Sequence, residues 1–309
     1  MTDNHADRPA AEPPKIWAVG GGKGGVGKSV LSTIFALWLA RMGHRTIIID
    51  VDLGGANVHT LLGIKSPPKT INDYISKKYP KLEDICIETG VENLRLLSGA
   101  SEILSLANLQ FAQKVKIIQS LRQLNAEYVI LDLGAGTSYN VLDFFLIAER
   151  QIVMLTPQPI AIQNSYAFVR NAVYRKLSRI TSQKPGLLSI IKSAMDPKNE
   201  LNVRTIKELF QVIRNDGGAD VADFLNQEIA AIQPALVTNM VRNQKDKNAG
   251  SIIQLVSEKY LMIKPIDLGG IVYDNQLNNL VSSMAPLAEI DPSNEAFVGM
   301  YDITTKLIS

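Results

Sequence analysis

One stretch constrains this chain more than any other: the glycine-rich run GGGKGGVGKS at positions 20–29. A short apolar run precedes it at 16–19 and an apolar-periodic segment follows it at 30–42, which predicts a strand, a loop and a helix. The run fits the phosphate-binding loop pattern of Gly22, four further residues and then Gly27-Lys28-Ser29. Glycines allow backbone N–H groups to converge on phosphate oxygens because no Cβ lies in the way. The sequence therefore predicts a nucleoside-phosphate site where the first helix begins.

The last residues of this loop have distinct expected roles. Lys28 is expected to reach the β- and γ-phosphates, and the Ser29 hydroxyl is expected to bind Mg²⁺. The positive end of the helix that begins here also attracts anions. We expect the following loop residues to contact the nucleotide: Gly22, Lys23, Gly24, Gly25, Val26, Gly27, Lys28, Ser29 and Val30.

The same glycines also allow a dinucleotide site. The spacing Gly22-x-Gly24-x-x-Gly27 fits the GxGxxG pattern, and Asp50 ends the next predicted strand. A dinucleotide loop, however, has no use for Lys28-Ser29, nor for a second acidic strand end further along the chain. We therefore favour the phosphate-binding loop.

Acidic residues stand at the carboxyl ends of two later apolar runs. TIIID ends in Asp50 with Asp52 close behind, and YVILD ends in Asp132. Continuous apolar runs of this kind suit parallel strands buried on both faces, and ligands of open α/β sheets bind at the carboxyl ends of the strands. Asp132 has the position at which a carboxylate holds Mg²⁺ or its water ligands. The alternative for Asp52 is that its carboxylate only caps a loop and has no role in a functional site.

Alternating strand and helix signals predict an α/β fold with a doubly wound, mostly parallel sheet and helices on both faces. Residues 1–14 are polar, contain three prolines and are predicted to be a disordered tail. We expect one domain over 15–309, with a helical insertion at about 181–234, where Asp216-Gly217-Gly218 and Asp196-Pro197 separate helical segments.

Two local patterns give further predictions. Residues 109–124 predict an amphipathic helix with Phe111, Val115, Ile118 and Leu121 on one face. Residues 261–265 predict a strand near the end of the chain.

Composition limits the classes of function. The chain has 32 basic and 30 acidic residues, so no strong global field attracts nucleic acid or membrane. A single cysteine, Cys86, excludes intramolecular disulfides. No apolar run approaches the roughly 18 residues of a membrane-spanning helix, and the N-terminus lacks a signal-peptide core. We expect a cytoplasmic protein.

A second lysine, Lys23, lies inside the loop, where an ordinary phosphate-binding loop requires none. GKGGVGKS resembles the deviant Walker A motif of the MinD/ParA family of ATPases. The resemblance implies a slow, partner-stimulated ATPase that uses ATP and Mg²⁺ and forms a homodimer with ATP. It also implies that Lys23 crosses the dimer interface to the phosphates of the partner subunit.

The resemblance assigns roles to the strand-end residues as well. The segment after Asp50 resembles the family's switch I, in which Asp50 lies near the Mg²⁺ water shell and Asp52 orients or deprotonates the attacking water. The resemblance thus implies catalytic roles for Asp52, Lys23 and Lys28, and metal-binding roles for Ser29, Asp50 and Asp132. Asn239, at the end of the run ALVTN, resembles the family asparagine that reads the adenine edge; a strand-end cap is the alternative.

The resemblance covers residues 15–309 and is weakest at 181–234. DLGGANVHTLLG with the following KTINDYI, and also LRLLSGA, resemble most the flagellar number-and-placement branch of the family, FlhG and FleN. The glutamine-containing activating motif of that branch is not found in 1–14. The resemblance implies a switch that positions or regulates a cellular assembly, with a protein partner and flagellar placement or number as one option.

Other branches of the family imply other partners. A DNA-partition ATPase of the ParA kind is the alternative, and helix 160–180, with four basic residues, could contact DNA or acidic lipid, although a solvated face is favoured. Cluster-carrying relatives need paired thiolates, which a lone Cys86 does not provide. The final predicted helix, 294–308, aligns with the end of the ATPase domain, so we expect no basic membrane anchor of the MinD type and at most peripheral membrane contact.

Overall fold

The computed structural model describes residues 12–52, 55–99, 110–196 and 202–309. Its strands are β1 (Lys15–Gly20), β2 (Thr46–Asp50), β3 (Ile87–Glu88), β4 (Leu94–Leu97), β5 (Tyr128–Asp132), β6 (Arg150–Leu155), β7 (Ala235–Val241) and β8 (Ile266–Val272). They form one sheet in the order β3-β4-β2-β5-β1-β6-β7-β8. Only the short β3 runs antiparallel to its neighbour, so the predicted mostly parallel sheet is confirmed.

Helices connect these strands. They are α1 (Lys28–Arg41), α2 (Val58–Leu61), α3 (Ile71–Ile75), α4 (Phe111–Leu121), α5 (Tyr139–Leu146), α6 (Pro159–Ile180), α7 (Pro185–Met195), α8 (Ile206–Gly217), α9 (Ala219–Ala230), α10 (Ala249–Leu261), α11 (Asn275–Ser282) and α12 (Glu295–Ile308). Among the described residues, no helix is both long and apolar enough to cross a membrane.

The sheet is covered on both faces, as a doubly wound fold requires. Alternate residues of β1 belong to opposite cores: Ile16 and Ala18 face the core beneath α4, α5 and α6, whereas Trp17 and Val19 face the core beneath α1 and α12. Because successive side chains of a strand point to opposite faces, a strand covered on both sides must be apolar throughout. This explains the unbroken apolar runs of β2 and β5, all of whose residues are buried.

Three helices, α7 to α9, lie between β6 and β7 in the stretch expected to be a helical insertion. They pack through buried residues such as Ile191, Leu209 and Leu225 onto the same core as α6. Pro197 and most of the expected N-terminal tail fall outside the described residues.

Two sequence predictions are wrong. No strand forms at 261–265: α10 runs to Leu261, Met262 adopts a left-handed backbone (φ 56°) that ends the helix, and β8 begins only at Ile266. An edge strand exposes much of its length, and Ile266 is 49% exposed, so β8 lacks the apolar pattern of the inner strands.

The second wrong prediction concerns the buried face of α4. Phe111 is 74% exposed, and the residues that the helix buries are Lys114, Ile117 and Leu121. Leu121 of the predicted face is buried and Ile118 packs against the core, so the prediction fails at its Phe111 end. The buried Lys114 ammonium lies against the carboxylate of Asp143 on α5.

Candidate nucleotide site

The glycine-rich loop connects β1 to α1, and α1 begins at Lys28. Two of its glycines are required by their surroundings. A Cβ on Gly22 would lie 2.0 Å from the backbone oxygen of Asn164 on α6, and Gly27 has a φ of +96°. Side chains at either position would displace the loop, because its backbone is packed closely against neighbouring elements.

The two lysines of the loop differ sharply in environment. Lys28 is 8% exposed, and its Nζ lies 3.4 Å from the backbone oxygen of Lys23, so the ammonium folds back over the loop. Burial lowers the pKa of Lys28, and the charges of Asp132 and Asp52 oppose that shift. Lys23 has an exposed side chain. Lys28 is therefore an interior cation of the site, whereas Lys23 lies at its surface.

Parallel pairing brings Asp50 and Asp132 side by side at the carboxyl edge of the sheet, where β2 and β5 place them in register. Asp50 is 1% exposed and accepts backbone N–H hydrogen bonds from Asp52 (3.1 Å), Asn57 (2.8 Å) and Val58 (3.0 Å). Burial, and then the charge of Asp132, raise the pKa of Asp50 to about 7 despite those bonds. The described backbone that follows β2 is thus bound to one carboxylate at Asp52, Asn57 and Val58.

Asp132 is held from the α1 side. The Ser32 hydroxyl donates to its Oδ1 at 2.8 Å. Burial raises the pKa of Asp132 to about 6, while the Ser29 and Ser32 hydroxyls and the Lys28 charge act in the opposite direction. Ser32, one helical turn after Lys28, was not among the predicted site residues; the spacing of hydroxyls along α1 is the only sequence signal for it.

The fit of this corner to Mg²⁺ follows from its donor set. Ser29, Asp132 and Asp50 offer hard oxygen ligands, and burial raises the pKa of both carboxylates. The described residues form no cluster of three or more His, Cys, Asp or Glu suited to a metal. Mg²⁺ in nucleotide sites usually takes only one or two carboxylates and completes its shell with phosphates and water, so the residues present fit the ion.

Asp52 lies opposite the loop that follows β5. A Cβ on Gly134 would come within 3.2 Å of the Asp52 carboxyl carbon. The two loops that leave β2 and β5 therefore touch at this carboxylate, and a side chain at Gly134 would separate them. Asp52 is partly exposed, unlike Asp50 and Asp132, and its charge raises the pKa of both Lys28 and Asp132.

Asn239, at the carboxyl end of β7, lies directly beneath the phosphate-binding loop. Its Nδ2 donates to the backbone oxygen of Val26 at 2.9 Å, and a Cβ on Gly27 would lie 2.5 Å from that nitrogen. The side chain is 8% exposed. The sequence predicts a role for Asn239 at the base; the structure adds a bond to the loop that no local pattern indicates.

The site therefore joins a phosphate-sized loop with an interior ammonium, two buried carboxylates, a third carboxylate at the surface and a supporting amide. Such an arrangement has the groups needed to hold the phosphates of a nucleotide with a divalent cation beside them, and Asp52 is the carboxylate that a water molecule could reach.

Comparison with known sequences gives a consistent picture. The profile of the ParA family, described as NUBPL iron-transfer P-loop NTPases, matches residues 13–247. The antiactivator FleN of Pseudomonas aeruginosa is 34% identical over 160 residues, which cover 51% of this chain and 56% of FleN. The flagellum site-determining protein YlxH of Helicobacter pylori is 28% identical over 243 residues, covering 75% of this chain and 74% of YlxH. The chain thus spans little more than half the length of FleN.

Solved structures share the fold over nearly the whole chain. The septum site-determining protein MinD from Pyrococcus horikoshii, complexed with Mg-ADP, superimposes with a TM-score of 0.63 and 18% identity, covering 95% of this chain and 96% of that one. A chain of the MinC–MinD cell division complex of Aquifex aeolicus gives a TM-score of 0.62 with 15% identity, covering 95% of each chain. At these identities the likeness shows the fold alone.

Proposed function

Because this chain belongs to the ParA/MinD family of P-loop NTPases, we propose that it is a Mg-ATP-dependent ATPase switch that dimerises with ATP. Hydrolysis is slow, is stimulated by a protein partner, and releases the dimer. The switch positions or regulates a cellular assembly, and the similarity to FleN and YlxH favours flagellar placement or number as its task.

The contrast between the two loop lysines carries the proposal. Lys28 is buried over its own loop, near the charges of Asp132 and Asp52. Lys23 belongs to the same loop and is exposed, so it is free to reach the phosphates of a second copy. The resemblance of GKGGVGKS to the MinD/ParA motif, in which this lysine crosses the dimer interface, supports that role.

The chain's own residues supply positioning and charge. Lys28 and the loop N–H groups hold the phosphates, and Ser29, Asp132 and Asp50 would hold Mg²⁺, which neutralises charge on the phosphate oxygens. Asp52 orients the attacking water from the mouth of the site. Asn239 supports the loop through its bond to Val26 and would read the edge of the base.

The iron transfer in the family description is not part of this proposal. The chain's only cysteine, Cys86, is partly buried, and burial, with the charge of Glu83 next, raises the pKa of its thiol to about 12. A thiol of that kind stays protonated at neutral pH, whereas cluster ligation needs several thiolates.

The deciding experiment is molecular mass by light scattering, without nucleotide, with ADP, and with ATP plus Mg²⁺. Asp52→Ala should accumulate as a dimer with ATP only, since binding is retained and hydrolysis is lost. Lys23→Ala should remain monomeric with ATP. Lys192→Ala, which removes an exposed lysine of α7, serves as the matched control and should dimerise normally.

Two outcomes contradict the proposal. A mass that is independent of nucleotide in Asp52→Ala would exclude the ATP-dependent dimer. Normal ATP-dependent dimers in Lys23→Ala would leave the dimer but remove the role of Lys23 across the interface.

A further inference from the structure

Helices α4, α5 and α6 lie on one face of the sheet and share its core. Their charges are strongly one-sided, although the whole chain has a net charge of only +2. The basic residues of the three helices are Lys114, Lys116, Arg170, Arg175, Lys176 and Arg179, and Asp143 is their single acidic residue. This helical layer is therefore a local basic region on a nearly neutral protein.

The centre of the region shows how it binds a carboxylate. Asp143 is 3% exposed, and Arg175 donates to it from Nε and Nη2, each at 2.8 Å. Lys114 donates to the same carboxylate from the neighbouring helix. Arg179 lies 3.7 Å from Oδ1, beyond hydrogen-bond distance, and its side chain is 46% exposed. One carboxylate thus faces three cations, and the Arg179 guanidinium keeps N–H donors for a second carboxylate.

Two exposed aromatic rings stand beside these cations. Tyr139 is 63% exposed and Phe111 is 74% exposed. The Arg175 guanidinium lies 4.3 Å from the centroid of the Tyr139 ring, and the Lys114 ammonium lies 5.9 Å from that of Phe111. Each ring belongs to the first residue of its helix, so both lie toward the carboxyl edge of the sheet. Exposed aromatic rings backed by arginine are typical of protein-binding surfaces.

We propose that Phe111, Tyr139, Arg175 and Arg179 form a docking surface for an acidic protein segment that carries a large apolar side chain. A carboxylate of the segment binds Arg179, as Asp143 binds Arg175, and the apolar side chain packs on the Tyr139 and Phe111 rings. The surface lies outside the nucleotide site, so the inference goes beyond the proposed ATPase.

The same features argue against nucleic acid and lipid as the occupant. Duplex DNA is held mainly through cations on its phosphates, whereas Lys114 and Arg175 are already bound to Asp143. Surface binding to a bilayer needs an amphipathic helix with a broad apolar face, and here the exposed apolar groups are two single rings, each beside a cation.

The test is fluorescence anisotropy of the full chain with labelled short peptides. One peptide combines glutamates with tryptophan and leucine, a second keeps the glutamates and replaces the apolar residues by alanine, and a third keeps the apolar residues and replaces glutamate by lysine. The first peptide should bind most tightly, and its affinity should fall with added salt because part of that affinity is electrostatic. The other two should bind at least about tenfold more weakly.

Variants locate the binding. Tyr139→Ala and Arg179→Ala should each weaken the first peptide about tenfold, and Tyr139→Phe should restore most of the affinity because the ring is kept. The matched controls lie on α8 and α9: Arg214→Ala removes an arginine that is 48% exposed, and Phe224→Ala removes a ring that is 51% exposed. Neither should change binding.

Three results would overturn the proposal. The first is that the acidic apolar peptide does not bind better than its two relatives. The second is that the control variants lose as much affinity as Tyr139→Ala and Arg179→Ala. The third is that a DNA duplex or vesicles of anionic phospholipid bind more tightly than the peptide and with the same dependence on Tyr139 and Arg179.

Discussion

Two groups of buried carboxylates differ in how their charge is balanced. Asp50 and Asp132, at the carboxyl edge of the sheet, are 1% and 2% exposed, and burial raises their pKa values to about 7 and about 6. Asp143, on α5, is 3% exposed. Burial alone would raise its pKa too, but hydrogen bonds from Arg175 and Lys114 bring it below the ordinary value.

The difference separates a binding site from a structural cluster. Around Asp143 the chain provides its own cations, so this carboxylate is paired within the fold. Around Asp50 and Asp132 the chain provides backbone N–H donors, hydroxyl donors and the single cation of Lys28. The pKa values of both carboxylates stay raised despite these groups. A missing positive charge at a strand edge is what a site for a divalent cation requires.

The largest expected effect distinguishes the two groups by stability. Asp143→Asn leaves Lys114 and Arg175 without their counter-charge, so it should lower the free energy of unfolding by about 3–5 kcal/mol. Asp132→Asn removes a charge that repels Asp50, so at neutral pH without nucleotide it should leave stability equal or higher. Urea unfolding measures both.

A control for this pair is Asp223→Asn. Asp223 is 58% exposed in its ion pair with Arg214, so the substitution should change stability by no more than about 1 kcal/mol. If Asp132→Asn lowered stability as much as Asp143→Asn, the Asp132 carboxylate would be stabilised by its neighbours as strongly as Asp143 is, and the contrast would be wrong.

The second prediction concerns pH. Because the pKa values of Asp50 and Asp132 are higher in the folded chain than their ordinary 3.8, the folded state binds protons more tightly than the unfolded state. Their stabilising contribution is complete below about pH 4 and is lost as pH rises through about 6 and 7. Asp143 has the opposite sign: its contribution is present above its ordinary pKa and is lost as pH falls through the lowered value.

Urea unfolding without nucleotide or metal, between about pH 5 and pH 8, checks this sign. The unsubstituted chain should lose more stability than Asp132→Asn as pH rises. Added Mg-ADP should reduce this difference between the two proteins. If stability depended on pH identically in the unsubstituted chain and in Asp132→Asn, the pKa of Asp132 would not be raised by folding.

A smaller effect tests Ser32. Its hydroxyl donates to the carboxylate of Asp132, and a hydrogen bond to a charged group contributes about 1.5–3 kcal/mol. Ser32→Ala removes this bond, so we expect the affinity for Mg-ADP, measured by calorimetry, to fall about tenfold. Thr33→Val is the matched control, since Thr33 is also buried in α1 but bonds to the Ser29 backbone oxygen. Equal losses in both variants would assign the effect to α1 rather than to Asp132.

The smallest expected effect concerns Asn239. Asn239→Ala removes the bond to the Val26 oxygen, so we expect the free energy of nucleotide binding to become about 1 kcal/mol less favourable. Calorimetry with ATP and GTP separates two roles: an equal loss for both nucleotides means support of the loop, and a larger loss for ATP means recognition of adenine. Unchanged affinity for both would remove Asn239 from the site.

Much of this arrangement could be predicted because its signals are local. The predicted strands 46–50 and 128–132 match β2 and β5 residue for residue. Buried parallel strands are short, apolar throughout and end in polar residues, so their bounds are visible in the sequence. The assigned roles of the site residues remain predictions that the experiments above address.

The misses occur where distant contacts outweigh local pattern. On α4 the helix buries Lys114 against Asp143 and leaves Phe111 exposed, and the edge strand β8 lacks an apolar signature. The bonds from Ser32 to Asp132 and from Asn239 to Val26 span 100 and 213 residues of sequence. No spacing rule relates residues so far apart.

The phosphate-binding loop, the buried strands and the acids at their ends can thus be read from residue type and short-range periodicity. Which buried carboxylate is paired with cations of the chain, and which is not, follows from tertiary packing alone. Charge balance inside a protein depends on distance and burial, and both are set by how remote segments pack together.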